Sequence, residues 1–335
     1  MGTLIKRSLQ IFCILLVFGL TLELVSALYT TFSGLGFQTG TSGGFVQKQK
    51  WRNLPFQIPI KDGVIRKFRG EELVLASTFS IDDLTRRVSV LPKGNPPKFL
   101  AFLGCSFTFG VGVKDGESLP SQTQLGTGKY RVYNYGVGGA SPADVLHRLM
   151  NINVSDHKEK KGVFLYSMFS GHLKRYHSRM EYIGGYGLYK TFYEKRNGDW
   201  IPSGVFKERF PLRSWLARFI FFSHTYNLIR SHLSDSFSDS ELEDYVGIVK
   251  RMQTESERRN GKFVLLIWPN TNQAEELVSL LKRGKIPYLD YSKLNLHLLT
   301  NGKATIPIDG HPTAETYKVL GQKIVADLDL VFPSI

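Results

Sequence analysis

A serine, an aspartate and a histidine stand where they could carry out nucleophilic chemistry. The serine lies in FLGCSFTFGVG, residues 102–112, where an apolar run ends in Gly-Cys-Ser and two more glycines follow. The other two lie late in the chain, in IDGHP at residues 308–312. Acyl transfer needs a hydroxyl nucleophile, an imidazole that takes its proton and a carboxylate that orients the imidazole. We predict Ser106, His311 and Asp309 in these roles; a plain glycine-rich turn at Ser106 is the alternative.

Two further segments follow predicted strands at the same edge of a sheet. NYGVGG spans residues 134–139 and FSGHLKR spans residues 169–175. Ligands of open parallel sheets bind at the carboxyl ends of the strands, so we expect both segments beside Ser106. Three polar side chains in them are candidates for substrate contact: Asn134, His172 and Arg175.

In these blocks the chain resembles the SGNH hydrolase family, also called the GDSL-type esterases, over roughly residues 97–330. GCSFTFG is similar to the family's first block, which implies Ser106 as the nucleophile. NYGVGGAS resembles the second block, which implies that the backbone N–H of Gly139 joins that of Ser106 in an oxyanion hole. IDGHPTAETYKVLG resembles the last block, which implies His311 as general base, oriented by Asp309.

The chain departs from the family pattern at three points. Cys105 stands where the family has an aspartate, and Cys105 as the nucleophile is a minor alternative. Ser170 stands where the family has an oxyanion-binding asparagine, so Ser170, His172 or another residue would supply that donor. Asp309 and His311 are one residue closer together than in the commonest form of the last block. Removing one oxyanion donor typically lowers the rate about 100- to 1000-fold, so a weakly active or inactive relative is also consistent with the sequence.

Apolar runs alternate with helical periodicity from residue 97 onward. Continuous apolar runs predict strands that are buried on both faces of a sheet, at residues 98–104, 130–136, 162–169, 262–269 and 286–292. Helices are predicted at 141–152, 238–261, 271–284 and 313–328, with Ser141 as N-cap, Pro142 at the first helical position and Gly261 as C-cap. This alternation predicts an α/β fold, a parallel sheet with helices on both faces. The resemblance to the SGNH hydrolases implies the flavodoxin-like three-layer α/β/α sandwich.

The N-terminus predicts a single transmembrane helix. Lys6 and Arg7 precede residues 9–29, in which Glu23 is the only charged residue. About 20 apolar residues can cross the hydrocarbon core, and the basic pair is expected to stay cytoplasmic, so that the rest of the chain is exported. The alternative is a signal peptide that is removed by cleavage near Ala27.

The chain of 335 residues is expected to form one large domain behind this anchor. We predict an anchor or signal peptide at 1–30, a flexible linker at 31–50, a β-rich lead-in at 51–96, and an SGNH hydrolase-like domain at 97–332 with an insertion at 171–240. Between residues 158 and 218 there are thirteen Lys or Arg residues and five Asp or Glu residues. The insertion is therefore expected to be a packed cap with a solvated basic rim, or a lid over an anionic or sugar-like substrate.

The net charge and the cysteine content limit the binding partners, disulfides and metal sites that we expect. The net charge of +14 indicates attraction to an anionic partner. No nucleic-acid motif is visible, so we expect no nucleic acid but a membrane and an ester-bearing glycan or lipid. Cys13 lies within the predicted membrane span and Cys105 lies beside Ser106 in the exported domain, so we expect no disulfide, and no cysteine-based metal site.

These features predict an exported, membrane-anchored serine esterase that removes a small acyl group from a glycan or a lipid and needs no cofactor. An O-acyltransferase of exported polysaccharide fits the same residues, because the sequence does not show the acceptor. A glycan-binding relative without turnover is the third interpretation, and Ser170 in place of asparagine is the feature that favours it.

Overall fold

Strands and helices alternate along the chain in the computed structural model, which describes residues 2–32, 41–43, 49–51, 54–56, 62–69, 72–231 and 235–332. The strands are β1 (Thr41–Gly43), β2 (Gln49–Trp51), β3 (Leu54–Phe56), β4 (Gly63–Arg69), β5 (Glu72–Phe79), β6 (Lys98–Gly104), β7 (Tyr130–Asn134), β8 (Gly162–Met168), β9 (Thr191–Arg196), β10 (Asp199–Val205), β11 (Gly261–Ile267) and β12 (Tyr288–Asp290). The helices are α1 (Gly2–Phe32), α2 (Ser106–Phe109), α3 (Leu119–Gly126), α4 (Pro142–Met150), α5 (Gly171–Tyr176), α6 (Met180–Tyr182), α7 (Phe206–Arg209), α8 (Pro211–Phe222), α9 (His224–Ser231), α10 (Asp239–Glu257), α11 (Ala274–Arg283), α12 (Leu296–Leu299) and α13 (Ala314–Val331). Short 3₁₀ turns lie at Asp115–Glu117 and Val154–Asp156, and a π-helical turn lies at Ile183–Gly187.

Five of these strands form one parallel sheet in the order β12-β11-β8-β6-β7. Each neighbouring pair in it is parallel. Counted along the chain within the sheet, the order is 2-1-3-4-5, which is the flavodoxin-like order. The strand order reverses between β6 and β8, and this switch point is where ligands bind in such sheets. The predicted flavodoxin-like α/β fold is confirmed.

Helices cover both faces of the sheet. On one face Leu103 of β6 belongs to a hydrophobic core shared with α4, α10 and α11. On the other face Phe102 belongs to a core shared with α3 and α13. Successive side chains of a strand point to opposite faces, so a continuous apolar strand serves both cores. The result is the predicted three-layer sandwich.

Two local predictions about helix ends have different outcomes. Ser141 does cap α4, because the N–H of Asp144 donates to its Oγ over 3.2 Å and its own N–H donates to the Asp144 carboxylate over 2.8 Å. The prediction of Gly261 as the C-cap of α10 is wrong. Helix α10 ends at Glu257, and Gly261 is the first residue of β11. Asn260 takes the left-handed conformation that glycine usually supplies, with φ of 54°.

The segment before the sheet packs against the loop that follows the Ser106 turn. Strands β4 and β5 form an antiparallel hairpin. Ile65 and Phe79 of this hairpin share a small core with Phe109 and Val111. The hairpin is therefore in direct contact with the loop behind the predicted nucleophile.

The side chain of Arg87 holds the same loop in place by binding carbonyl oxygens of the loop's backbone. The side chain of Arg87 has no exposed surface, and its Nε lies 2.8 Å from the Asp115 carboxylate. Its terminal nitrogens donate to the carbonyl oxygens of Phe109, Gly110 and Val113. Gly110 has a φ of 91°, and a Cβ there would lie 2.9 Å from Arg87 Nη1. Glycine at this position therefore provides both the turn and the space for the guanidinium group.

Between β8 and α10 the chain leaves the sheet and forms α5 to α9 and the antiparallel hairpin β9–β10. A small core holds this insertion together, with Tyr182, Ile183, Leu188, Phe206 and Ala217 as its buried members. Helix α8 lies so close to the π-helical turn that a side chain at Gly184 would collide with the carbonyl oxygen of Ala217.

Helix α1 contains the apolar stretch Gln10–Tyr29, whose mean hydropathy is 2.5. Its length and composition are sufficient to cross a membrane, and signal sequences share both properties. The prediction of an apolar N-terminal helix is confirmed in its length and composition. The predicted linker at 31–50 lies mostly outside the described residues.

We expect Arg87→Met to lower the free energy of unfolding by about 3–5 kcal/mol, because it leaves the Asp115 carboxylate and three loop carbonyls without their cation. Urea unfolding of the detergent-solubilised chain, followed by tryptophan fluorescence, measures the change. Lys93→Met, at an exposed position in the same segment, is the matched control and should change stability little. Equal stability of both variants would contradict a structural role for Arg87.

Candidate active site

The turn that carries Ser106 requires glycine at its start. Gly104, the last residue of β6, has a φ of 154°, and a side chain there would collide with Thr108 and lie 2.9 Å from the carbonyl oxygen of Ser167. The chain can therefore turn sharply at Gly104 and enter α2 at Ser106. Ser106 is 9% exposed, and its Oγ lies 4.0 Å from Cys105 Sγ. The hydroxyl thus stands at the carboxyl end of β6, beside the switch point between β6 and β8.

Asp309 and His311 form a carboxylate–imidazole pair. Asp309 Oδ2 lies 2.6 Å from His311 Nδ1. His311 Nε2 is buried and has no hydrogen-bond partner among the described residues. A hydrogen bond from Nδ1–H to the carboxylate leaves a lone pair on Nε2 in the neutral imidazole. The tautomer with its proton on Nδ1 is the one that a general base needs, and the carboxylate of Asp309 favours it.

An unusual backbone conformation makes the short Asp-to-His spacing workable. Ile308 has a φ of 67°, which is rare for a β-branched residue and costs free energy. The N–H of Gly310 donates to Ile306 O over 2.9 Å, and the N–H of Ile306 donates to His311 O over 2.8 Å. This closed turn directs the Asp309 carboxylate at the ring of the residue two positions later.

Lys67 of β4 is a site residue that sequence reasoning missed. Its Nζ forms an ion pair with Asp309 Oδ1 and lies 3.5 Å from His311 Nδ1. Burial by itself would raise the pKa of Asp309, but the hydrogen bonds and charges of His311 and Lys67 lower it to about 2. Asp309 is therefore ionised at neutral pH. No local pattern in the sequence separates Lys67 from the other basic residues of its strand.

Phe107 links the Ser106 turn to the other predicted blocks. Its ring stacks on Phe169 with a centroid distance of 4.5 Å. The same ring lies 5.4 Å from the imidazole of His311. The structure thus brings the turn after β6, the end of β8 and the segment before α13 to one edge of the sheet.

The loop with Gly139 is held at the same edge by backbone and side-chain contacts. The N–H of Val137 donates to Gly104 O over 3.0 Å. Lys190 Nζ donates to Gly138 O over 3.2 Å, and Arg175 Nη1 donates to Ala140 O over 2.9 Å.

Lys190, a second residue that the sequence did not identify, sets the direction of the Gly139 N–H. The C=O and N–H groups of a trans peptide point in opposite directions. A cation that holds Gly138 O therefore directs the Gly139 N–H to the other side. Lys190 is buried, and desolvation lowers its pKa.

The three side chains predicted to contact a substrate are buried and bond within the protein. Asn134 is buried, donates from Nδ2 to Phe109 O over 3.2 Å and accepts from the N–H of Gly136 over 2.9 Å. The imidazole of His172 has no exposed surface, and its Nδ1 lies 2.7 Å from the hydroxyl of Tyr166. Burial, with the charge of Arg175, holds the pKa of His172 well below its usual range, so the ring is neutral.

Arg175 is also buried, and its guanidinium lies 5.1 Å from the centre of the Phe169 ring. Asn134, His172 and Arg175 are thus buried and bonded within the protein, and their contact with a substrate stays a prediction. Ser170 is partly exposed at the start of α5, and among the residues that the structure describes its side chain makes no cap hydrogen bond there. Of the two oxyanion donors proposed for the third block, Ser170 is the accessible one.

Comparisons with known proteins give structural similarities only. No family model matches the chain, and no curated protein matches it. A member of the lipolytic protein G-D-S-L family from Veillonella parvula is 11% identical, with a TM-score of 0.39 over 71% of this chain and 99% of that one. A lipase/acylhydrolase from Enterococcus faecalis is 15% identical, with a TM-score of 0.38 over 69% and 95%. An alpha/beta hydrolase from the Lake Arreo metagenome is 12% identical, with a TM-score of 0.39 over 71% and 98%.

We expect Lys67→Met to make the protein more sensitive to acid. The pKa of Asp309 is lower in the folded state than its usual 3.8, so its charge stabilises the fold above about pH 4, and this contribution is lost as the pH falls towards 2. Removal of Lys67 raises the folded-state pKa, so less of this stabilisation is present above about pH 4 and acid unfolding reaches its midpoint at a higher pH. Acid unfolding followed by circular dichroism measures the midpoint. The matched control is Arg66→Met, at the exposed neighbouring position of β4; equal midpoints for the two variants would contradict the prediction.

Proposed function

We propose that the protein is an esterase of the SGNH type, with Ser106 as nucleophile and the Asp309–His311 pair as its base. The observation that carries this proposal is the imidazole of His311. Its Nδ1 bonds to an ionised carboxylate, its Nε2 has no hydrogen-bond partner in the described part of the chain, and its ring contacts Phe107, the residue next to Ser106. A nucleophile, a base and a group that orients the base are the parts that acyl transfer needs.

The proposed reaction has two halves. In the first, His311 Nε2 takes the proton of Ser106 Oγ while Oγ bonds to the ester carbonyl carbon. The resulting oxyanion accepts hydrogen bonds from the backbone N–H groups of Ser106 and Gly139 and from the hydroxyl of Ser170. The oxyanion collapses, the alkoxide leaves with the proton from His311, and an acyl-enzyme remains. In the second half, a hydroxyl compound attacks the acyl group by the same proton route.

The features outside the triad favour an acylated glycan or lipid outside the cytoplasm as substrate. The apolar helix α1 and the basic pair before it favour a membrane-anchored, exported domain. The basic insertion lies directly after the third strand of the site and favours an anionic substrate. Water as the acceptor makes the protein a hydrolase, and a sugar hydroxyl makes it an O-acyltransferase; product analysis with and without added glycan distinguishes the two.

A glycan-binding relative without turnover is the second candidate. Two observations favour it. Ser170 occupies the position at which the family has an asparagine, and the hydrogen bond found for Ser106 Oγ is a long one to Cys105 Sγ rather than one to the base. Catalytic hydrogen bonds are often loose without substrate, so the reactivity of Ser106 decides between the two candidates.

We expect a fluorophosphonate probe to label the full-length protein, and expect Ser106→Ala and His311→Ala to abolish the labelling. The phosphorus atom bonds to Ser106 Oγ, fluoride leaves, and His311 takes the hydroxyl proton. Asp309→Asn should slow labelling by about 10²- to 10⁴-fold, since it removes the acceptor that sets the His311 tautomer. His297→Ala, at an exposed histidine, is the control and should label at the wild-type rate. No labelling of the wild type would support the binding relative.

We expect Ser170→Ala to lower kcat for p-nitrophenyl acetate about 100- to 1000-fold, because one oxyanion donor is lost. Ser170→Asn, which restores the family's residue, should retain or raise kcat. The matched control is Ser240→Ala, at an exposed position of α10. A wild-type rate for Ser170→Ala would exclude its hydroxyl as a donor and leave only the two backbone N–H groups.

A further inference from the structure

Helix α8 carries its large apolar side chains on the outside. These residues follow one another at helical spacing and are all exposed: Leu212, Trp215, Leu216, Phe219 and Phe222. Leu212 is 77% exposed, and Trp215 and Phe219 are each 65% exposed. The small residues Ser214 and Ala217 are the buried ones. We call the five large side chains the apolar face of α8.

This face needs an apolar partner. A helix of a soluble domain normally turns its large apolar side chains toward the core, and large contiguous apolar patches on a surface mark contact with a protein or a membrane. The stacked rings of Trp215 and Phe219, 6.0 Å apart, make the patch continuous over one turn of the helix. Within the described part of the chain, these five side chains remain exposed.

The end of α8 is fastened to the apolar N-terminal helix. The Glu23 carboxylate of α1 accepts hydrogen bonds from Ser223 Oγ over 2.8 Å, from the N–H of His224 and from the N–H of Thr225 over 3.2 Å. Thr225 Oγ1 also donates to Ser26 Oγ over 3.2 Å. Helix α1 thus caps α9 and fixes the junction between α8 and α9.

The position of this contact along α1 fixes how deep the junction of α8 and α9 would lie in a membrane that α1 spans. Glu23 lies six residues before Tyr29, the end of the apolar stretch Gln10–Tyr29. At 1.5 Å per residue this is about 9 Å inside that end. Helices that lie in a membrane interface bury their apolar face about 5–10 Å into the boundary between headgroups and acyl chains. The junction of α8 and α9 is therefore at the depth of an interfacial helix.

The charges around the apolar face suit a lipid surface. Residues 206–222 contain four basic side chains and one acidic side chain: Lys207, Arg209, Arg213 and Arg218 against Glu208. Arg213 and Arg218 are exposed on α8 itself, and the guanidinium of Arg218 lies 5.5 Å from the centre of the Phe222 ring. Basic side chains beside tryptophan and phenylalanine are typical of helices that bind anionic headgroups.

We propose that α8 is an interfacial helix whose apolar face lies among the lipids of the membrane that α1 spans, with its arginines at anionic headgroups. The proposal does not depend on the esterase activity, since none of its residues belongs to the proposed triad or oxyanion hole. It gives the exported domain a second membrane contact, beside the span, that restricts how the domain can rotate above the bilayer.

Quenching of tryptophan by brominated lipid tests this proposal. The full-length protein, with its four tryptophans, is reconstituted in vesicles of phosphatidylcholine and phosphatidylglycerol that carry bromine near the headgroup end of the acyl chains. We expect part of the emission to be quenched, and expect Trp215→Phe to remove that quenched component. Trp200→Phe, in the β9–β10 hairpin, is the matched control and should keep it. Equal quenching in Trp215→Phe and the wild type would overturn the proposal.

A second copy of the chain is the other occupant that could cover the apolar face. A Phe219→Cys variant, made together with Cys13→Ser, reports this contact through disulfide-linked dimers in the same vesicles. Lipid contact predicts no such dimers and quenching that does not change with the protein-to-lipid ratio. Dimers at a low protein-to-lipid ratio, without quenching of Trp215, would show that a second copy covers the face and that the proposal is wrong.

Discussion

The buried carboxylate of Asp309 connects two segments that lie far apart in the chain. The side chain of Asp309 has no exposed surface, so its charge requires partners within the protein. His311 supplies one partner, two residues away, and Lys67 supplies the other from a strand 242 positions earlier. The β4–β5 hairpin is therefore part of the site, since it holds the carboxylate that orients the imidazole.

The same early segment provides a second buried cation. Arg87 binds three carbonyl oxygens of the loop that follows Ser106 and pairs with Asp115. Gly104 lets the chain turn at the end of β6, and Gly110 leaves room for the guanidinium. The position of the Ser106 hydroxyl thus depends on a local turn at Gly104 and on a long-range contact from Arg87.

The insertion contributes to both the site and the surface. Lys190 holds Gly138 O and so directs the neighbouring N–H, while α8 turns its large apolar side chains outward. The π-helical turn Ile183–Gly187, on which α8 packs, lies only a few residues before Lys190. One compact unit, with Tyr182 and Phe206 in its core, therefore connects the apolar face of α8 to the loop with Gly139.

The sequence by itself determined the features that depend on near neighbours in the chain. Apolar runs predicted the strands, and the Ser141 signal predicted the start of α4, because burial and capping act over a few residues. Only the tertiary structure showed that Asp309 meets Lys67, that Lys190 sets the Gly139 peptide, and that His172 is enclosed. The sequence around a lysine or a histidine does not indicate which group its side chain will contact in the folded protein. Long-range ion pairs and burial depend on the packing of distant segments.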